Sequence, residues 1–147
     1  MSRDMLDQYP FTTTTHVRFR DLDALGHVNH AVYLTYFETA RIAYYGALTG
    51  QTNIADINII VVEITATYHA PARLADELEV GVRIARLGTK SFDMEYVIVR
   101  SADHQKIASG RSVQVMYDYQ LAQSIPIDDA FRTRVAHVQQ ESFDDTV

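Results

Sequence analysis

Two carboxylates and two imidazoles, Asp21, Asp23, His27 and His30, lie close together in the segment RDLDALGHVNH. Residues of these types carry out acid–base chemistry, nucleophilic attack or metal ligation. Two routes are open to Asp23: direct nucleophilic attack, or removal of a proton from water. A histidine such as His30 can orient that carboxylate, position the water or protonate a leaving group. His27 and Asn29 read as residues that hold the turn and border the site. Asp21 reads as a carboxylate that stabilises the loop. The same four side chains suit a divalent cation by type, but there is no His-Glu-x-x-His spacing. A calcium-loop reading of Asp-x-Asp-x-x-Gly fails at its twelfth position, which is Val32 instead of a bidentate glutamate. A P-loop, a G-x-G-x-x-G fingerprint and a G-x-S-x-G elbow are all missing.

The elements that must position this segment follow from periodicity. Val17 and Phe19 alternate with Arg18 and Arg20, which predicts a first strand over Phe11–Arg20. Turn residues fill Asp21–Asn29. Helical spacing starts near Ala31 and runs through Tyr33, Phe37, Ala40 and Tyr44, with Asn29 as N-cap and Gly46 as the stop. Glu38 and Arg41, three apart, can pair on this helix. Ala47–Asp56 reads as a short helix or loop. Strands are expected at Ile57–His69, Leu78–Ala85, Ser91–Arg100 and Ile107–Tyr117, with turns at Gly88 and at Ala102–Gln105. A second helix is expected over Ile127–Val138, opened by Pro126 and by Asp128 and Asp129 at its positive end. Met1–Pro10 reads as a loosely held arm, and the acidic tail from Gln139 as frayed. Strands joined by short turns imply an antiparallel sheet, and with a buried helix this makes an α+β domain.

The chain has 147 residues and suits a single domain spanning 1–147, with an ordered core of about residues 11–138. A chain of this length buries roughly 68–70% of its unfolded surface. The net charge of −6 speaks against a nucleic-acid partner. Cysteine is absent, which leaves neither disulfides nor thiolate metal sites. With no basic start followed by an apolar run, a leader peptide is not expected. The apolar run Ile59–Val62 is too short to cross a bilayer. A cytoplasmic enzyme or binding protein fits these features.

The stretch FRDLDALGHVNHAVYLTYFETAR, Phe19–Arg41, resembles the signature of hotdog-fold acyl-CoA thioesterases of the 4-hydroxybenzoyl-CoA thioesterase type. Weaker matches follow in the family's order: Tyr68-His-Ala-Pro-Ala, Asp76-Glu-Leu-Glu-Val, Leu87-Gly-Thr-Lys-Ser and Ile125-Pro-Ile-Asp. One departure stands out: Leu74-Ala75 occupies a place where an aromatic–Gly pair is usual. The resemblance covers about Thr12–Arg134. It implies a hotdog fold, in which a curved antiparallel sheet wraps a long central helix. It further implies dimers formed by edge-to-edge sheet pairing, often paired again into tetramers, with active sites at the dimer interface.

For the site, the resemblance implies that Asp23 carries hydrolysis and that His30, seven residues on, assists it. The backbone N–H of His30, at the helix start, would hold the developing oxyanion. An acid on the central helix serves other hotdog branches. Here Glu38 has Arg41 to pair with, and Asp23 already supplies an acid. The acyl pocket is expected from Tyr33, Phe37, Ile60 and Val62. Arg86, Lys90 and Ser91, around the Gly88 turn, are expected to meet the nucleotide of CoA. No metal and no cofactor are implied. The expected partners are an acyl-CoA substrate and copies of the same chain. An acyl-carrier-protein thioester is the rival substrate, although such carriers share this chain's acidic sign. The alternative readings are a hotdog dehydratase or hydratase and a non-catalytic acyl-thioester binding module.

Overall fold

In the computed structural model, which describes residues 3–51 and 53–143, one sheet carries the strand order β1-β3-β4-β5-β2. The elements are α1 (Arg3–Asp7), β1 (Phe11–His16), α2 (Val32–Thr49), β2 (Ile59–Tyr68), β3 (Glu77–Leu87), β4 (Ser91–Arg100), β5 (Lys106–Asp118), β6 (Gln123–Ser124) and α3 (Asp129–Gln139). Every strand pairing is antiparallel, and β6 adds to β5. β1 and β2 are the two edge strands, each paired on one side only among the described residues.

Alternation makes the sheet one-sided. Leu78, Val80, Val82 and Ile84 of β3 and Phe92, Met94, Tyr96 and Ile98 of β4 point inward and are buried. α2 lies across this face. Phe37 stacks on Tyr96 with centroids 4.7 Å apart, Tyr44 stacks on Phe11 at 5.2 Å, and Tyr45 faces Phe92. Burying side chains of this size contributes about 1.5–3 kcal/mol each. The helix is apolar around most of its girth because α3 covers part of its second side through Phe131, which packs on Tyr45 and Phe92.

Several expectations change in the structure. The first strand stops at His16, and Phe19–Asp21 forms a single 3-10 turn. Asn29 does not cap α2. Its side chain accepts from the Ala31 N–H at 2.9 Å and so holds the preceding turn, while Ala31 takes the N-cap position. Gly46 does not end α2, which runs on to Thr49 because Leu48 still has core to reach. Gly50, at φ 74°, closes it. The expected amino-terminal arm is instead a helix and turn whose Leu6 is buried against Val97 and Val99 on the outer face of the sheet. Met1 and Ser2 lie outside the described residues, as do residues 144–147 of the tail. Gln139 is not frayed. Its amide brackets the Ile84 backbone at 2.8 and 2.9 Å and accepts from the Tyr44 OH at 2.7 Å.

Candidate active site

The connection from β1 to α2 folds into a small hairpin. Leu22 bridges Val28, and the Asp23 N–H donates to the His27 carbonyl at 2.8 Å. Its tip needs a left-handed residue, and Gly26 supplies one at φ 82°. The Asp23 Oδ1 accepts the Leu25 N–H at 2.9 Å and the His27 N–H at a weaker 3.4 Å, an Asx turn that fixes the carboxylate. Its Oδ2 accepts no hydrogen bond among the described residues. The hairpin is stitched to the segment before β3: the Val28 N–H donates to the Ala72 carbonyl at 2.9 Å, and His27 bridges Arg73.

Asp21 is turned the other way. It is buried and accepts the Arg18 N–H at 3.0 Å and the Tyr36 OH at 2.9 Å. Burial pushes its carboxyl up. The bonds from Arg18 and Tyr36 outweigh burial and hold it below the usual aspartate range. Burial and the neighbouring Asp21 push the Tyr36 phenol well above its ordinary value. Asp21 therefore anchors the loop, as its sequence context suggests, and leaves Asp23 as the outward carboxylate.

Asp23, His27, His30 and Tyr33 come together in one open cleft of ≈ 370 Å³. The opposite wall is Tyr68, His69, Ala70 and Pro71, at the end of β2 and just beyond it. The rings of Tyr33 and Tyr68 lie 5.3 Å apart, and the Tyr68 OH donates to the His30 carbonyl at 2.8 Å. This bond fixes residue 30 from its carbonyl side. The His30 N–H donates to no group among the described residues and lies at the entry to α2, where backbone donors are free and the helix dipole is positive. An anionic oxygen placed there meets a donor and a favourable field. The Tyr33 Oη accepts the Ala72 N–H at 3.2 Å, which locks the ring into the cleft wall.

Tyr68 and His69 were not singled out from sequence as site residues. The signal that could have found them is the Tyr-His-Ala-Pro segment, where Pro71 ends an apolar run.

Other expected residues stand apart from this cleft within one chain. Phe37 is fully buried behind Tyr33, in the core, so close to Gly110 that a Cβ there would meet its ring at 2.5 Å. Ile60 and Val62 are exposed near the start of β2. Arg86, Lys90 and Ser91 lie at the far end of β3, an eleven-residue strand whose length is roughly 35 Å at 3.2–3.4 Å per residue. Arg86 is already committed there, donating to Ser91 Oγ and to Asp93 Oδ1, both at 2.8 Å. Arg111 grips the other Asp93 oxygen. The Lys90 ammonium reaches Ser124 Oγ at 3.4 Å. Glu38 is exposed and 3.8 Å from the buried Arg41. Among the described residues no group of three or more His, Cys, Asp or Glu is arranged to hold a metal ion, and Asp21 is turned inward, away from such a role. No helix among them is long and apolar enough to cross a membrane.

Known proteins share this fold. The family model of the thioesterase-like superfamily matches residues 17–135. A thioesterase from Thermus thermophilus, solved in complex with coenzyme A and Zn, is 33% identical and superposes with a TM-score of 0.84 over 93% of this chain and 99% of that one. The long-chain acyl-CoA thioesterase FadM of Escherichia coli K12 is 27% identical over 84% of this chain and 95% of its own length. The acyl-CoA thioester hydrolase YbgC of Escherichia coli O6:H1 is 34% identical over 52% of this chain and 60% of its own length.

Proposed function

The chain belongs to the thioesterase-like superfamily and has its hotdog fold, and from that premise we propose that it hydrolyses an acyl-CoA thioester to a carboxylic acid and free CoA. The observation that carries this reading is the pairing in one cleft of an outward, Asx-fixed carboxylate, Asp23, with an unbonded backbone N–H at a helix start, His30. The Thermus neighbour's bound coenzyme A and the activities named for FadM and YbgC support the substrate class.

The chemistry follows from those two groups. As a base, Asp23 takes a proton from water while the hydroxide bonds to the thioester carbon. As a nucleophile, its free oxygen bonds to that carbon itself, and water later cleaves the mixed anhydride. In both routes the carbonyl oxygen gains negative charge, the His30 N–H receives it, and the tetrahedral adduct collapses by expelling CoA thiolate, which takes up a proton. One oxyanion donor of this kind typically contributes about 2.7–4 kcal/mol. His30's imidazole borders the same space and serves as the proton source for the leaving sulfur. His27 and Asn29 hold the turn and border the bound acyl group, and Tyr33 lines its pocket.

The working unit is a homodimer formed through β2 that pairs again into a homotetramer, acting in the cytoplasm. Support comes from the free β2 edge with Ile60 and Val62 exposed on it, since an uncovered apolar edge is a pairing site. A second support is the distance from Asp23 to its own Gly88 turn. Antiparallel pairing of two β2 strands brings one chain's Arg86, Lys90 and Ser91 toward the other chain's cleft, where they meet the CoA nucleotide.

Free-thiol release from short, long and aromatic acyl-CoAs tests the reading. Turnover of one group is the expected result. Hydration of crotonyl-CoA without thiol release would instead support the dehydratase or hydratase reading. A raised melting temperature with neither reaction would support a binding module.

A further inference from the structure

The cleft around Asp23 is open to solvent with the end of β2 as its outer wall, and an apolar patch that could close it lies at the opposite end of the same strand. Ile60, Val62, Tyr119 and Leu121 are 38%, 60%, 58% and 63% exposed there. Tyr119 and Leu121 sit at the tip of the β5–β6 hairpin, whose strands pair Tyr117 with Ser124 and Asp118 with Gln123. The tip is preset. Asp118 Oδ1 accepts both the Gln120 and the Leu121 N–H at 2.9 Å, and the Tyr119 ring meets Tyr117 edge-on at 4.9 Å. Two large apolar side chains exposed on a braced turn call for an occupant.

The backbone tells where that occupant lies. Successive residues of a strand direct their peptide groups to opposite sides. The Tyr117 N–H donates to the Asn58 carbonyl, so Asn58 faces β5 and the next carbonyl, of Ile59, faces the open edge. The Tyr119 OH closes that carbonyl at 2.8 Å, so pairing along the free edge begins only beyond it. At the other end the His69 N–H donates to Ile107, which turns the Tyr68 backbone to the open edge. A second β2 laid antiparallel on this edge therefore sets its own start, and the hairpin beside it, against the stretch from Tyr68 to Pro71. That stretch is the outer wall of the Asp23 cleft.

We propose that Tyr119 and Leu121 of one protomer complete the cleft that holds Asp23 of the other, and that they select an acyl group with an apolar or aromatic end. The inference rests on the thioesterase reading above and adds to it which residues bound the substrate from across the dimer. Tyr33 and Tyr68 from one chain and Tyr119 and Leu121 from the other would enclose the acyl group between aromatic and aliphatic surfaces. Lone apolar contacts in such pockets are worth about tenfold or more in kcat/KM.

The test is trans-complementation. The Tyr119→Ala/Leu121→Ala double variant and the Asp23→Asn variant are each assayed as homodimers by thiol release from the preferred acyl-CoA. They are then co-expressed with different tags, and the mixed dimer is isolated. The double variant should keep the wild-type assembly by sedimentation, with kcat/KM down about tenfold or more through KM, and Asp23→Asn should be inactive. The mixed dimer joins an intact Asp23 to an intact hairpin in one of its two sites, so it should show half of wild-type activity per dimer. A mixed dimer no more active than half of the double variant overturns the proposal, because the hairpin then acts on its own chain. So does an undiminished double-variant homodimer, or one that has become monomeric, since the hairpin is then the dimer contact and not a cleft wall. Failure of the wild-type protein to release thiol from any acyl-CoA overturns the thioesterase reading itself, and this proposal with it.

Discussion

Replacing Ala75 by glycine should stabilise this protein. The turn before β3 places Ala75 at φ 69°, in the left-handed region where a Cβ crowds the backbone. For an L residue that conformation costs roughly 1–2 kcal/mol. Glycine relieves the cost but gives the unfolded chain more freedom, which returns roughly 0.4–1 kcal/mol. The side chain at 75 is exposed, so no packing is lost. The turn's bonds are backbone or belong to neighbours: Ala75 N–H to the Val17 carbonyl at 3.2 Å, and Arg73 N–H to Asp76 Oδ2 at 3.0 Å. The net expectation is a gain of about 0.5–1 kcal/mol, or about 1–4 °C in Tm for a domain of this size. Urea unfolding at a fixed protomer concentration should show a higher midpoint with an unchanged slope. A midpoint that stays put or falls in Ala75→Gly would refute the strain argument.

Two further outcomes concern the core and the loop. Gly110→Ala puts a methyl 2.5 Å from the Phe37 ring and 2.8 Å from the Thr65 carbonyl, and the ring is pinned against Tyr96, so stability should drop by about 1–3 kcal/mol in thermal or urea unfolding. Asp21 is held below its ordinary pKa, so its contribution to stability is complete above the unfolded aspartate range near pH 4 and disappears as the pH falls below it. Asp21→Asn should therefore lower stability at neutral pH and make the acid limb of the stability profile shallower. A parallel downward shift at every pH would contradict the assignment.

How much of this was legible in the sequence depends on how local each determinant is. The Asp23 hairpin and the helix after it were legible because residue types at fixed spacing encode them: Gly26 for the positive φ, Asp23 for the Asx turn, and apolar steps from Tyr33 to Tyr44. The carboxyl end of α2 was not. Gly46 looks like a stop, yet it is glycine because the Gln51 carbonyl passes where a Cβ would be, at 2.9 Å. The same limit hid α1 and Gln139. Leu6 is ordered by Val97 and Val99, and Gln139 by Ile84 and Tyr44, partners a linear pattern does not announce. It also hid half of the cleft: Tyr68 meets the His30 carbonyl across 38 residues of chain. The departure at Leu74-Ala75 was visible in the sequence, and the structure gives it meaning, since Ala75 adopts the backbone conformation that a glycine would favour.

The proposed role of Asp23 in hydrolysis is tested most directly by kcat/KM for thiol release by Asp23→Asn beside wild type on the preferred acyl-CoA. Asparagine keeps the Oδ1 that accepts the Leu25 N–H, so the hairpin and the unfolding midpoint should hold. The expected result is a loss of at least about a hundredfold, the low end for removal of a general base. Activity close to wild type in a folded Asp23→Asn protein would contradict it and move the chemistry to another group in the cleft.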